Sequence, residues 1–246
     1  MDIESTASHF TIPNLAAIPL WEGEHAPLHL IKFEAGGFDP HLFARHDIAC
    51  PLNIARSVTK RQAEFFAGRL AAQRALALFG LSHMEIRTGP HREPLWPLGL
   101  HGSIAHHQYL AGAVAFQQPP GRGAAFGIDI ETILCESKLP MMMGMVVSKA
   151  ELACLQRWHG QLTLNKLVTL TFSAKESFFK AAFPLVGRYF DFDAVAVKHV
   201  DPAKQCLTLV VRQSPSTAIP VGTEVTVHFS QLDEKSLFTS CCWRLD

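Results

Sequence analysis

Ala124-Ala125-Phe126-Gly127-Ile128-Asp129-Ile130-Glu131 reads as a β-strand, because side chains of a strand alternate between two faces and this run alternates apolar with acidic residues. Around it the pattern predicts helices over about Lys149–His159 and Ala174–Phe183. Strands follow near Ala194–Val200, Cys206–Val211, Val225–Phe229 and Leu237–Leu245. Strands and helices that do not alternate strictly as βαβ units point to an α+β fold with antiparallel sheets rather than a Rossmann-type fold. The sequence has no GxGxxG or Walker A run to set against this.

Upstream, residues 1–27 read as irregular, punctuated by Pro13, Pro19 and Pro27, and Leu28–Phe33 reads as a short strand. Arg56–Phe79 is rich in Ala, Leu, Phe, Gln and Arg and predicts a long helix, with Gly80 where a left-handed C-cap is expected. A Pro/Gly-rich loop (89–97), a second loop Gly102–His107 and an apolar strand Tyr109–Phe116 complete this half. Gln117–Gly123 is the best linker candidate, so we expect two similar domains, 1–118 and 119–246, the second repeating the first in outline.

Composition narrows the chemistry. The 246 residues are 48% hydrophobic and 18% charged, an ordinary globular balance, and Lys+Arg 22 against Asp+Glu 22 leaves no net charge. Nothing global therefore draws the chain to nucleic acid or to an anionic membrane, and any preference for phosphate must be local. The acidic N-terminus predicts no secretory signal, and no apolar run reaches membrane-spanning length. Six cysteines without CxxC spacing suit free thiols in a reducing cytoplasm. His101, His106 and His107 cluster without the thiolates or acids that would complete a zinc pattern.

Three features carry candidate chemistry. Asp129 and Glu131 share one strand face about 6.6 Å apart along the backbone, with Phe126, Ile128 and Ile130 expected to face the core. Two like charges so placed repel unless a cation lies between them. A hard, oxygen-preferring ion such as magnesium fits; two solvated acids at a strand end are the structural alternative. In Phe172-Ser173-Ala174-Lys175-Glu176-Ser177-Phe178-Phe179-Lys180, Ser173 and Glu176 have capping-box spacing, which gives Glu176 a purely structural reading. Glu176 and Lys180 are also i,i+4 neighbours able to form a surface ion pair, and Pro184 is expected to stop the helix. Finally, Ser103 and His106 sit in a presumed loop before a strand, where polar side chains can reach a ligand. The helix over 56–79 carries Arg56, Lys60, Arg61, Arg69 and Arg74 against Glu64, a local positive excess with the structural reading of a solvated face.

Taken in order, KRQAEFFAGRLAAQRAL (60–76), EPLWP (93–97), GSIAHH (102–107), GIDIE (127–131) and FSAKESFFKA (172–181) closely resemble the 4'-phosphopantetheinyl transferases, of the enterobactin-synthase-associated and surfactin type. The resemblance runs from about Asn53 to Gly187. It implies a pseudo-twofold monomer of two α+β halves, each a small antiparallel sheet with a long helix, and coenzyme A as co-substrate in the cleft between them. It implies transfer of the phosphopantetheine arm to a serine of an apo acyl, peptidyl or aryl carrier protein in fatty acid, polyketide, nonribosomal peptide or siderophore biosynthesis. Asp129, Glu131 and Glu176 match the family's magnesium ligands, and Lys180 and His106 its pyrophosphate contacts. Arg61 and Arg69 fall in the helix whose basic residues contact the nucleotide phosphates in the family, and Arg92 falls where the family places a further basic contact. Relatives often carry Ser where this chain has Ala105, so the hydroxyl contact to coenzyme A that the resemblance implies is either lost or moved to Ser103.

The reaction builds negative charge on a leaving phosphate, so positioning and charge neutralisation carry most of the catalysis. Lys180 and His106 are expected as positive donors and Glu176 as the acceptor of the serine proton. Competing readings are a magnesium-dependent phosphohydrolase using the same acids on water, and a non-catalytic carrier-binding adaptor. Leu139-Pro140-Met141-Met142-Met143-Gly144-Met145-Val146 is expected to be a loop lining a carrier-docking groove, with a buried helix turn as its structural alternative.

Overall fold

Small side chains let a helix and a sheet approach closely, and this organises both parts of the computed structural model, which describes residues 10–11, 16–20, 24–117 and 123–245. The described residues group into two compact units, one comprising residues up to 18 and 25–117, the other residues 19–20 and 24 with 123–245. Residues 118–122, within the expected linker, and the N-terminal residues 1–9 lie outside the described set.

The first unit contains β1 (Phe10–Thr11), β2 (Ala16–Pro19), β3 (His25–Phe33), α1 (Leu42–Arg45), α2 (Leu52–Ala55), α3 (Thr59–Ala77), β4 (Arg87–Thr88), β5 (Pro94–Leu95), β6 (Leu100–His107) and β7 (Leu110–Gln117). Its five-stranded sheet runs β1-β3-β7-β6, with β2 also on β3, while β4 and β5 form a separate hairpin. Within the stretch expected to be irregular, the described residues 10–11, 16–19 and 25–27 thus lie in strands: Phe10 lies opposite Phe33. Local punctuation by proline did not reveal these long-range ladders. Buried Ala63, Ala67, Ala71 and Ala75 of α3 belong to the same core as Ala111, Ala113 and Ala115 of β7. Phe66, fully buried, meets Phe43 edge to face at 5.3 Å. Gly80 has φ 71°, the left-handed conformation expected after the helix.

The second unit contains β8 (Gly123–Thr132), α4 (Leu139–Val146), α5 (Lys149–Gln156), α6 (Leu164–Val186), β9 (Val195–Asp201), β10 (Cys206–Val211), β11 (Glu224–Gln231) and β12 (Ser236–Leu245). Its five-stranded sheet runs β8-β12-β11-β10-β9, with antiparallel pairings throughout. The α+β class with antiparallel sheets is therefore the observed one.

Helix α6 corrects two expectations. It spans 23 residues from Leu164, behind the N-cap Thr163, whose Oγ1 accepts from the Lys166 amide, so Ser173 lies in mid-helix and caps nothing. The capping box belongs instead to Ser148 and Glu151 at the start of α5. Pro184 does not stop α6, which runs on to Val186 and ends at Gly187 with φ 67°. A proline this near the end removes one amide bond without unwinding the preceding turns. The Met-rich segment is neither a loop nor buried: it forms α4, where Val146 is buried while Met141 and Met145 are 62% and 61% exposed.

Candidate active site

In the second unit the site begins with a missing side chain. A Cβ on Gly127 would collide with the Ser177 carbonyl, so glycine lets α6 lie directly on β8. Two residues further along the same strand face, Asp129 therefore meets α6. Ser173 Oγ donates to Asp129 Oδ2 at 2.9 Å, and Lys180 Nζ donates to Asp129 Oδ1 at 2.7 Å and to the Ile128 carbonyl at 3.0 Å. Ser173 is fixed in turn by Thr239 of β12, whose Oγ1 lies 2.9 Å from its Oγ and donates to its carbonyl. Asp129 is 5% exposed, so the strand face that carries the acids is the one the helix covers, which removes the alternative of a solvated Asp129. Ile128 and Ile130, on the opposite face, are also fully buried.

Glu176 lies on the helix face of Ser173 and Lys180. Its carboxyl is pushed up to about 7, first by burial and then by the negative charges of Asp129 and Glu131, while Lys180 opposes them. Lys180 therefore bonds Asp129 rather than serving Glu176 as a surface ion pair. Among the described residues no three His, Cys, Asp or Glu side chains stand in a metal-holding arrangement. Both oxygens of Asp129 are engaged within the protein, by Ser173 and Lys180. The donor chemistry nevertheless suits a hard cation: the charges of Asp129 and Glu131 both raise the Glu176 carboxyl, and Lys180 offsets only part of this.

In the first unit a cleft of about 450 Å³ is lined by Arg61, Glu64, Arg69, Arg92 and His106 among others. The basic residues of α3 are thus not merely a solvated face. Arg69 is pinned over the Phe65 ring, 4.6 Å from its centroid, and donates to Thr88 Oγ1 at 2.9 Å. Burial, then the charge of Arg61, lowers its guanidinium to about 10, leaving it protonated at neutral pH. Arg92 reaches the cleft from the β4–β5 turn, where it takes φ 71° and its amide donates to the Gly89 carbonyl at 3.0 Å.

His106 departs from expectation in two ways. It lies in strand β6 rather than a loop. Arg61 Nη1 is 3.0 Å from its Nε2, and since arginine only donates, this nitrogen accepts and the ring is neutral. Its Nδ1 faces Glu64 Oε2 at 3.9 Å, and the same carboxylate oxygen lies 3.5 Å from Arg61. Ser103 does not join the cleft. The two-residue period of β6 sends it to the face opposite Ile104 and His106, where it is 5% exposed. The reading by sequence missed Glu64, Phe65, Thr88 and Ser173. Glu64 has the i+3 spacing from Arg61 as a signal; Thr88 has none, because only the hairpin brings it to α3.

Comparison with known proteins gives two adjacent matches. Residues 51–116 match the family model for the 4'-phosphopantetheinyl transferase N-terminal domain, and residues 125–224 that for the 4'-phosphopantetheinyl transferase superfamily. The chain is 34% identical to enterobactin synthase component D of Salmonella typhi over 177 residues, 71% of this chain and 66% of that protein. The chain thus spans just under two thirds of that relative's length. It is 34% identical to the Escherichia coli K12 protein of the same name over 158 residues, 63% of this chain and 70% of that one. It is 35% identical to the 4'-phosphopantetheinyl transferase Svp of Streptomyces mobaraensis over 154 residues, 61% of this chain and 59% of that protein.

Proposed function

We propose that this chain, which belongs to the 4'-phosphopantetheinyl transferase superfamily, transfers the phosphopantetheine arm of coenzyme A to a serine hydroxyl of apo carrier proteins. The observation that carries the proposal is the meeting of two separate motifs in one buried cluster. Asp129 of the first is held by Ser173 and Lys180 of the second, with Glu176 on the same helix face.

In the reaction the serine oxygen forms a bond to the β-phosphorus of coenzyme A as the bond to the bridging oxygen breaks, and adenosine 3',5'-bisphosphate leaves. Glu176 is the candidate acceptor of the serine proton; in the protein without metal, burial and the charges of Asp129 and Glu131 push its carboxyl up to about 7. Lys180 contributes a fixed positive donor beside the acids. Arg61, Arg69 and Arg92 supply the positive charge for the nucleotide phosphates. His106 joins them as a hydrogen-bonding partner once a phosphate takes Arg61 from its Nε2. Asp129, Glu131 and Glu176 are the residues that would hold magnesium, which when bound supplies Lewis-acid neutralisation of the diphosphate.

Names of relatives that include enterobactin synthase support siderophore biosynthesis as the setting. All six cysteines are free, the state a reducing cytoplasm maintains, and among the described residues no helix is long and apolar enough to cross a membrane. We take the protein to act there as a monomer.

The test is the mass of an apo carrier after incubation with coenzyme A, magnesium and this protein. A gain of one phosphopantetheine, absent with EDTA, is expected. Hydrolysis of the diphosphate without modification of the carrier favours a phosphohydrolase; binding of the carrier with neither reaction favours an adaptor.

A further inference from the structure

One polar network in the second unit has no part in the cluster described above. Lys175 and Glu151 form an ion pair at 2.8 Å with side chains only 2% and 3% exposed. Lys175 Nζ also donates to the Val146 carbonyl at 2.8 Å, at the end of α4. Glu151 Oε1 accepts from the Val197 amide of β9 at 2.9 Å, and its Oε2 accepts from the Ser148 amide at 2.9 Å. One pair of charges thereby ties the end of α4, the start of α5 and strand β9 to the middle of α6, at the residue next to Glu176.

A buried ion pair is a poor way to gain stability, since two well-packed apolar side chains often do as well. What the charged pair adds is direction. Each of its bonds has a fixed donor and acceptor, and together they permit one rotation and one height of α6 against its neighbours. The location matters as well. Lys175 and Glu176 border the same cleft of about 250 Å³, whose other walls include Tyr189, Phe190 and Val195 at the start of β9. Joined to β9 through Glu151, Lys175 therefore fixes the spacing between the wall that bears Glu176 and the wall across from it.

We propose that Glu151 and Lys175 are positioning residues for the transfer reaction, acting through α6 to present Glu176. The inference rests on the transferase reading. It is tested with E151L/K175M, which replaces both charges by apolar side chains and leaves neither charge stranded. We expect a lower Tm, because the Val197 and Ser148 amides lose their acceptor, in a protein still folded at 25 °C, with kcat reduced about ten-fold and KM for coenzyme A and for the carrier little changed, because the lost interaction acts only in the transition state. A folded double variant with wild-type kcat overturns the proposal.

Should that variant fail to fold, E151Q takes its place. It keeps an acceptor for the Val197 amide and removes the charge, and wild-type kcat at intact Tm again overturns the idea. If the wild-type protein transfers nothing, the functional reading fails separately. Amide hydrogen exchange of residues 139–148 and 172–180 then decides: faster exchange in the folded variant supports positioning, and unchanged exchange overturns it.

Discussion

Lys180 Nζ lies 2.7 Å from Asp129 Oδ1, joining residues 51 positions apart in the chain at a point where the acid is almost wholly buried. Truncating either member leaves the other without its partner, so the two substitutions should behave alike. We expect D129N and K180M each to lower kcat at least about a hundred-fold and to cost up to about 3 kcal/mol of stability, less for D129N because the Lys180 it strands is partly exposed. Denaturant melts and single-turnover transfer assays on each variant check this. Wild-type turnover in K180M would remove lysine from the chemistry.

Glu176 makes stability depend on pH in a defined direction. Its carboxyl is raised to about 7 in the fold from 4.5 in the unfolded chain, so the folded state binds the extra proton between these values. Stability is therefore fully present below about 4.5 and is lost as pH rises through 7. The E176Q protein, which cannot ionise there, should melt several degrees higher than wild type at pH 8 without divalent ions and at nearly the same temperature at pH 5. Equal melting differences at both pH values would count against this environment for Glu176.

The helix–strand contact at Gly127 leaves no room for a methyl group beside the Ser177 carbonyl. We expect G127A to cost about 1 to 3 kcal/mol or more and to disturb Asp129 two residues along, so that activity falls further than stability alone explains. Comparison of residual transfer activity with the folded fraction at 25 °C, read from a denaturant melt, separates the two effects.

Arg69 is held over the Phe65 ring and by Thr88, with the charge of Glu85 acting on its guanidinium, and it lines the cleft with Arg61 and Arg92. R69A should raise KM for coenzyme A about ten-fold or more, roughly 1.4 kcal/mol, with a smaller change in kcat. F65A should give a weaker effect of the same kind, because it loosens the guanidinium without removing it. Titration of coenzyme A at several salt concentrations measures both, and the loss should be greatest at low ionic strength.

What could be read from the chain alone was what local periodicity encodes. The alternation in GIDIE placed Asp129 and Glu131 on one strand face, the Ala-rich run before Gly80 predicted a long helix, and the order of strands and helices indicated α+β with antiparallel sheets. The motifs further identified the family. Errors arose where a local rule met a distant partner. Ser173 has the spacing of a cap yet serves Asp129, 44 residues away, and Pro184 looks like a stop yet lies within α6. Ser103 and His106 looked like neighbours in a loop, but the strand they occupy turns them to opposite faces. Nor could spacing reveal that Thr88 pins Arg69, that Arg61 occupies His106, or that Lys175 is buried against Glu151. Hydrogen bonds within a helix or along a strand recur at fixed separations, so sequence determines them. Contacts between elements depend on how closely two surfaces can approach, and here only the packing of α3 and α6 on their sheets decided which charges met.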